Sequence, residues 1–335
     1  MARTTMEDIA RAAGVSRALV SIAYRNAEGV SAATREHILT IGEELGYVHN
    51  RVAANLATRG SRSIGVYLQD LHNEFFADVY DGIREVAEDH DRELVLAIGR
   101  RERDSDAAPL TTLQGARVGV IVAAGLRLSD ETALLHNRRV PLVSLARDIP
   151  GIDSVYSDNR RGAELATSHL LELGHRRIAF FANPPSDGYL DRARGYEARM
   201  LEAGLDPRTI ETSYSRGEVA AIAGDVLAAA DAPTAVFAHN DRAALGVLDA
   251  IAAAGLAPGR DVSVIGYDNS SAGSAPGTDL TSVDLHGVEL GRQATELALR
   301  RHSRPDLERQ FVRMQPTLVV RSTTGPAPHG LPRHV

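Results

Sequence analysis

From residue 63 onward the chain repeats one pattern: a short apolar run, then a stretch with helical periodicity. The runs fall at 63–68, 94–98, 118–122 and 141–145, and a second series at 177–181, 234–238 and 262–266. Strands this short and this apolar, each followed by a helix, can bury both faces only in a parallel sheet covered by helices on either side. Two series predict two such sheets, each doubly wound, with a crevice outside the carboxyl ends of the strands. The segment from Gly99 to Leu113 is charged and less regular than the helix expected between strands.

The first 62 residues differ. They carry alanine-rich helical periodicity and no convincing strand. Thr4 or Thr5 followed three residues later by Glu7 or Asp8 is a capping box opening a helix over about residues 6–13. Gly14 can end that helix in the left-handed conformation. Ser16 caps a second helix over about 17–24, and a third starts after Ser31, carries Ile38, Ile41 and Leu45 on one face and stops at Gly46. Ile9, Ala10, Ala13, Val15 and Val20 supply small contacts between the first two helices, as in a helix-turn-helix, although the spacing alone also fits any small three-helix bundle.

In a helix-turn-helix, Ser16, Arg17, Ala18, Ser21 and Ile22 would lie at the start and along one face of the reading helix. Arg17 could read a guanine edge, Ser16 and Ser21 could bind phosphate or base, and Ala18 or Ile22 could touch a thymine methyl. The alternatives are a solvated Arg17 and a core Ile22. Charge helps to decide. The whole chain carries −7, which argues against nucleic acid, yet residues 1–62 hold eight arginines against six acids (+2) and the remainder 29 against 38 (−9). The absence of cysteine excludes a disulfide framework, a thiolate metal site and a cysteine nucleophile. No apolar run is long enough for a membrane span, and Met1 to Met6 carries no apolar signal segment, so the expected location is cytoplasmic.

Residues 5–21 (TMEDIARAAGVSRALVS), 30–36 (VSAATRE), 44–47 (ELGY) and 50–57 (NRVAANLA) form one set of motifs. By that set the head resembles the lactose/galactose repressor (LacI/GalR) family of bacterial transcription factors. The resemblance implies DNA contacts at Thr5, Ser31, Thr34 and Tyr47 besides those above, and a hinge helix at 50–57. There Asn50 can cap, Ala53, Ala57 and their neighbour Ala54 allow close approach to DNA, and Leu56 offers a wedge for a base step. A plain interdomain linker is the alternative. The body is similar to a periplasmic-binding-protein fold. The domains expected are a DNA-binding head at 1–48, a hinge and linker at 49–62, a two-lobed effector-binding and dimerisation body at 63–322, and a flexible tail at 323–335. The fold class is thus α/β, with a small all-α head joined to doubly wound parallel sheets.

Within the body, residues 73–76 (NEFF), 174–178 (GHRRI), Arg192 with Gly195-Tyr196, Asn240-Asp241, and Gly266-Tyr-Asp268 resemble family motifs. The resemblance implies an effector held by Arg192, Asn240 and Asp268, with Asn73 and Arg147 beside it and Phe75 or Phe76 packed on its ring. Asp accepts from hydroxyls, Asn donates and accepts, and an aromatic face covers sugar C–H surface, so a sugar or sugar-like compound leads and a nucleobase or nucleoside fits almost as well. Strand-end caps or turns are the alternative for Asn240 and Asp268. Departures matter: Ala146 stands where the family often has Asp, Ile22 where it often has Arg, and Tyr24-Arg25-Asn26 replaces the usual Leu-Asn-Gly.

The partners implied are a pseudo-palindromic double-stranded operator, a small-molecule effector and a second copy of the chain, with no membrane, cofactor or metal. Dimerisation would involve the helix after Asn73 and the stretch 287–315. The proline-containing end has no heptads for a coiled coil. An enzyme is disfavoured by the lack of a G-x-x-x-x-G-K-[ST] loop, of G-x-G-x-x-G after the first strand and of H-E-x-x-H, leaving His239 the one histidine near a crevice motif. An exported solute-binding protein would need a signal and no head. Repression of sugar uptake or catabolism genes is the leading reading, and activation is the alternative, since the same binding event does either according to where the operator lies.

Overall fold

The structure, a computed structural model, describes residues 4–24, 27–47, 61–99, 107–183 and 187–328. The chain forms two compact units, residues 1–61 and 62–335.

In the first unit, α1 (Met6–Ala13), α2 (Arg17–Tyr24) and α3 (Ala32–Glu44) surround Ile9, Ala10, Val20, Ala23 and Ile38. The capping box forms between Thr5 and Asp8: Asp8 N donates to Thr5 Oγ1 at 3.3 Å and Thr5 N to Asp8 Oδ2 at 2.9 Å. Those bonds to Thr5 hold the Asp8 carboxyl below its ordinary range. Gly14, at φ +65°, closes α1, and Ser31 caps α3. Leu45, expected on the apolar face of α3, is instead exposed, because the helix ends at Glu44 and the chain turns away at Gly46.

The second unit holds two six-stranded sheets. The N-terminal lobe contains β1 (Ser63–Leu68), β2 (Glu93–Ile98), β3 (Val120–Ala124), β4 (Leu142–Leu145), β5 (Asp153–Ser157) and β11 (Phe311–Met314), in the order β11-β5-β4-β3-β1-β2. All its pairings are parallel. The C-terminal lobe contains β6 (Ile178–Ala182), β7 (Arg208–Glu211), β8 (Ala235–Ala238), β9 (Ser263–Asp268), β10 (Thr281–Asp284) and β12 (Thr317–Val319), in the order β12-β10-β9-β8-β6-β7. Here the edge strand β12 is antiparallel, a departure from the wholly parallel sheet expected.

Helices cover both sheets. In the first lobe α4 (Phe75–Asp89) and α12 (Gly287–Ser303) lie on one face, and α5 (Ala107–Gly115) and α6 (Asp130–Arg139) on the other. In the second, α7 (Asn159–Glu172) and α8 (Asp187–Glu202) face α9 (Arg216–Ala228) and α10 (Asp241–Ala253) across the sheet, and α11 (Ser271–Ser274) is one turn after β9. Among the described residues the chain passes between lobes three times, after β5, after β10 and after β11.

The facing sides of α4 and α12 pack on each other within the chain. A Cβ at Gly82 would meet Val288 O at 1.9 Å, and one at Gly291 would meet Val79 O at 2.1 Å, so the two backbones touch. One expectation is corrected: residues 323–328 are not part of a free tail, since Thr323 is buried, its Oγ1 donates to Val264 O at 2.8 Å, and Ala327 N donates to Leu173 O at 2.9 Å. The strand-like pairing of this segment satisfies backbone groups that β9 and α7 would otherwise leave unpaired.

Candidate functional site: a reading helix and an interlobe cleft

In the head, α2 buries Val20 and Ala23 and turns Arg17, Ala18, Ser21 and Ile22 to the other side, Arg17 and Ala18 exposed and Ser21 and Ile22 half-buried. Ser16 Oγ accepts from Leu19 N at 3.1 Å, which caps α2 and leaves the hydroxyl proton to donate outward. Arg17 Nε lies 4.0 Å from Glu7 Oε2, with both side chains mostly exposed; such a pair is worth little and gives way readily to a phosphate or base edge. Ser31 Oγ accepts from Thr34 N at 3.2 Å and shares a hydrogen bond with the Thr34 hydroxyl. Thr5 is occupied by its capping box, and Tyr47 packs edge-on against Tyr24 with centroids 5.2 Å apart. Asn50, Ala53, Leu56 and Ala57 lie outside the described residues.

In the body, a cavity of about 340 Å³ opens between the lobes, and Asn73, Phe75, Phe76, Arg147, Arg192, Asn240 and Asp268 all line it. Their surroundings give them different tasks. Phe75 and Phe76 begin α4 and meet edge-on at 5.4 Å, an apolar wall. Asn73 Oδ1 accepts from Phe75 N at 3.2 Å, which sets the loop that starts this helix. Arg147 donates to the carbonyls of Leu126 (3.2 Å) and Leu128 and to Asp130, so it braces the loop after β3. Beside it Ala146 sits at φ +68°, a conformation that Asn or Asp tolerates better than Ala.

Arg192 is buried at the centre of the polar side. Its Nε donates to Asn159 Oδ1 at 2.9 Å, Nη1 donates to His239 O, and its Cζ lies 3.8 Å over the Tyr267 ring. Nη2 stands 3.8 Å from Asp268 Oδ1. Asp268 ends β9 at φ +111°, and the buried Oδ2 has no hydrogen-bond partner. Burial drives its carboxyl up to about 8; Arg192 opposes the shift and Asp241 adds to it. His239, also buried and next to Arg192, is held neutral, well below its ordinary range. Asn240 Oδ1 caps α10 by accepting from Ala243 N at 2.9 Å, so a residue that lines the cavity also starts this helix.

Several lining residues escaped sequence reasoning: Gln69, Asp70, Arg127, Asn159, Asn183 and Arg242. Asn159 and Arg242 sit in the first turns of α7 and α10, directly after strand ends, and that position is the signal that could have found them. A cleft with one buried arginine, one unpartnered carboxyl oxygen, several amides and an aromatic wall suits a small polar ligand with an apolar face. Among the described residues there is no cluster of side chains able to hold a metal, and no helix is long and apolar enough to cross a membrane.

Comparison with known proteins gives a consistent picture. Residues 5–50 match the family described as bacterial regulatory proteins, lacI family, and residues 167–324 match a periplasmic binding protein-like domain. The HTH-type transcriptional repressor PurR of Aliivibrio fischeri (strain ATCC 700601 / ES114) is 30% identical over 329 residues, covering 95% of this chain and 98% of its own. The solved structure of the Lac repressor dimer bound to operator and the anti-inducer ONPF superposes with a TM-score of 0.83 at 28% identity, over 96% of this chain and 99% of that one. A complex of the transcriptional regulator CelR with cellobiose gives 0.71 at 28% identity, over 96% and 100%.

Proposed function

Because the chain belongs to the LacI family of bacterial regulatory proteins, we propose that a sugar or sugar-like compound bound in its interlobe cleft sets its affinity for a pseudo-palindromic operator, which it reads as a homodimer. The chain is a DNA-binding transcriptional regulator and not an enzyme. Acting on DNA places it in the cytoplasm. The observation that carries the effector reading is the pairing of Asp268 Oδ2, buried and unpartnered, with the Phe75–Phe76 wall across the same cavity. A protonated or ionised carboxyl can meet a hydroxyl either way, and the ring faces cover C–H surface. The cellobiose complex of CelR supports a sugar by analogy.

The dimer is argued from the head. One short reading helix contacts too few bases for selective binding at physiological salt, whereas two heads double the contacts and match a two-fold operator. A net +2 head leaves selectivity to base contacts and to the proposed hinge at Asn50, Ala53, Leu56 and Ala57. Effector binding would shift the population between operator-competent and free dimers.

The test is mapping of bound sites across the genome, followed by mobility shift on one recovered operator with sugars and nucleosides added in turn. Arg17→Ala should weaken binding to that operator about tenfold or more while changing non-specific binding much less; an equal loss on both would make Arg17 a phosphate contact only. Arg192→Ala should abolish the response to whichever compound acts and leave operator binding intact. Calorimetry showing undiminished binding of that compound would remove Arg192 from the site.

A further inference from the structure

The loop at 70–74, on the N-terminal lobe, reaches across one rim of the cleft to the other lobe. It is a stiff loop: Asp70 Oδ1 accepts from His72 N at 2.9 Å, and Asn73 Oδ1 ties down the start of α4. From it the Glu74 carboxylate accepts two bonds from α11, one from Ala272 N at 2.7 Å and one from Ser271 Oγ at 3.1 Å. In the reverse direction Arg242, on α10, donates through Nη1 to His72 O. Each contact joins residues 170 or more apart in sequence.

The receiving side is held as firmly. Asp241 is buried beneath α11; its Oδ2 accepts from Ser270 N at 2.6 Å and its Oδ1 takes the Ser282 hydroxyl. A Cβ at Gly273 would meet Asp241 Oδ2 at 2.7 Å, so α11 sits directly on that carboxyl. Glu74 therefore grips a rigid ledge rather than a loose loop.

We propose that Glu74 and Arg242 form a latch that holds the cleft closed without ligand, so that the resting position of the lobes is set by the rim rather than by the effector site. Two hydrogen bonds to a carboxylate and one from a guanidinium are charge-assisted, and separating the lobes at this rim breaks all three. Asn73, the residue between the two anchors, faces Asp268 from across the cleft and is one of the groups that opposes the rise of its pKa, so opening the latch also withdraws a partner from the effector site. The consequence for regulation rests on the function proposed above, whereas the latch itself does not.

The absence of native cysteine makes the test direct. Leu135 and Leu201 are exposed, one on each lobe, so Leu135→Cys with Leu201→Cys accepts a pair of spin labels. In the full ligand-free chain, Glu74→Ala with Arg242→Ala should lower the closed-to-open ratio about tenfold or more and lengthen the mean label separation by more than about 2 Å. Glu74→Gln, which still offers a carbonyl oxygen to Ser271 and Ala272, should fall between. Identical distance distributions in all the variants would overturn the latch, whatever the operator assays show. A shifted distribution with unchanged operator affinity would keep the latch and count against its coupling to DNA.

Discussion

Gly291→Ala should leave the N-terminal lobe unable to close, with a loss of about 3 kcal/mol or more. The added methyl would stand 2.1 Å from Val79 O and 3.0 Å from Ile83 N, both backbone atoms of α4. A side chain in that place could turn aside; a helix backbone can only be pushed away whole. The same holds for Gly82→Ala, which meets Val288 O, and since the two glycines share one contact their effects should not add. Urea unfolding followed by hydrogen exchange of α4 amides checks it. Near-wild-type stability would mean that the helices separate at little cost. Gly224→Ala, with open space around the new methyl, is the control.

Asp268→Asn should stabilise the ligand-free protein, by a few kcal/mol near pH 8 or somewhat above, and flatten its pH dependence. The native carboxyl, raised to about 8 by burial, keeps its proton where the unfolded chain has lost it at about 4. Folding therefore takes up a proton between these values, and stability declines as pH rises through that window. The amide cannot ionise, tolerates the positive φ and can still point its oxygen at Arg192. Urea titrations at several pH values should give a wild-type stability that falls toward pH 8 and a variant that falls less, with the difference growing up to about pH 8. Parallel curves would show that Arg192 keeps Asp268 ionised throughout. Asp241, raised by burial to about 6, contributes with the same sign over a narrower range, so the difference between the two proteins is the quantity to read.

Much of the architecture was legible because its strands are apolar and central. β1, β3, β6, β8 and β9 are buried on both faces, and continuous apolar runs announce them. The strands not foreseen have other reasons to exist. β5 opens on Asp153, which is buried and pairs with Arg301 at 2.7 Å from a point 148 residues later. β7 and β12 are edge strands with alternating or partial burial, and β11 leaves Phe311 mostly exposed. Partners so distant in sequence leave no local periodicity.

The cleft residues divide along the same line. Arg192, Asn240 and Asp268 could be named from short motifs, but that Asn240 also caps a helix, and that Arg147 braces a loop, emerged only from the tertiary contacts. Glu74 was visible only as a neighbour of Phe75. Its partners lie almost 200 residues downstream, which no reading of residues 73–76 could anticipate.

The three passages between lobes also bear on how the protein is made. The first lobe is started by β1 at residue 63, yet α12 and β11, which cover its face and complete its edge, arrive only between residues 287 and 314. Translation delivers the chain at about 5–20 residues per second, so the face formed by Val122, Val143, Leu145 and Val155 waits for that interval without α12. During it the ribosome-bound chain presents an apolar sheet surface of the kind that chaperones shield. Nascent chains arrested before residue 287 should thus be the most dependent on such shielding, and those carried past residue 314 the least.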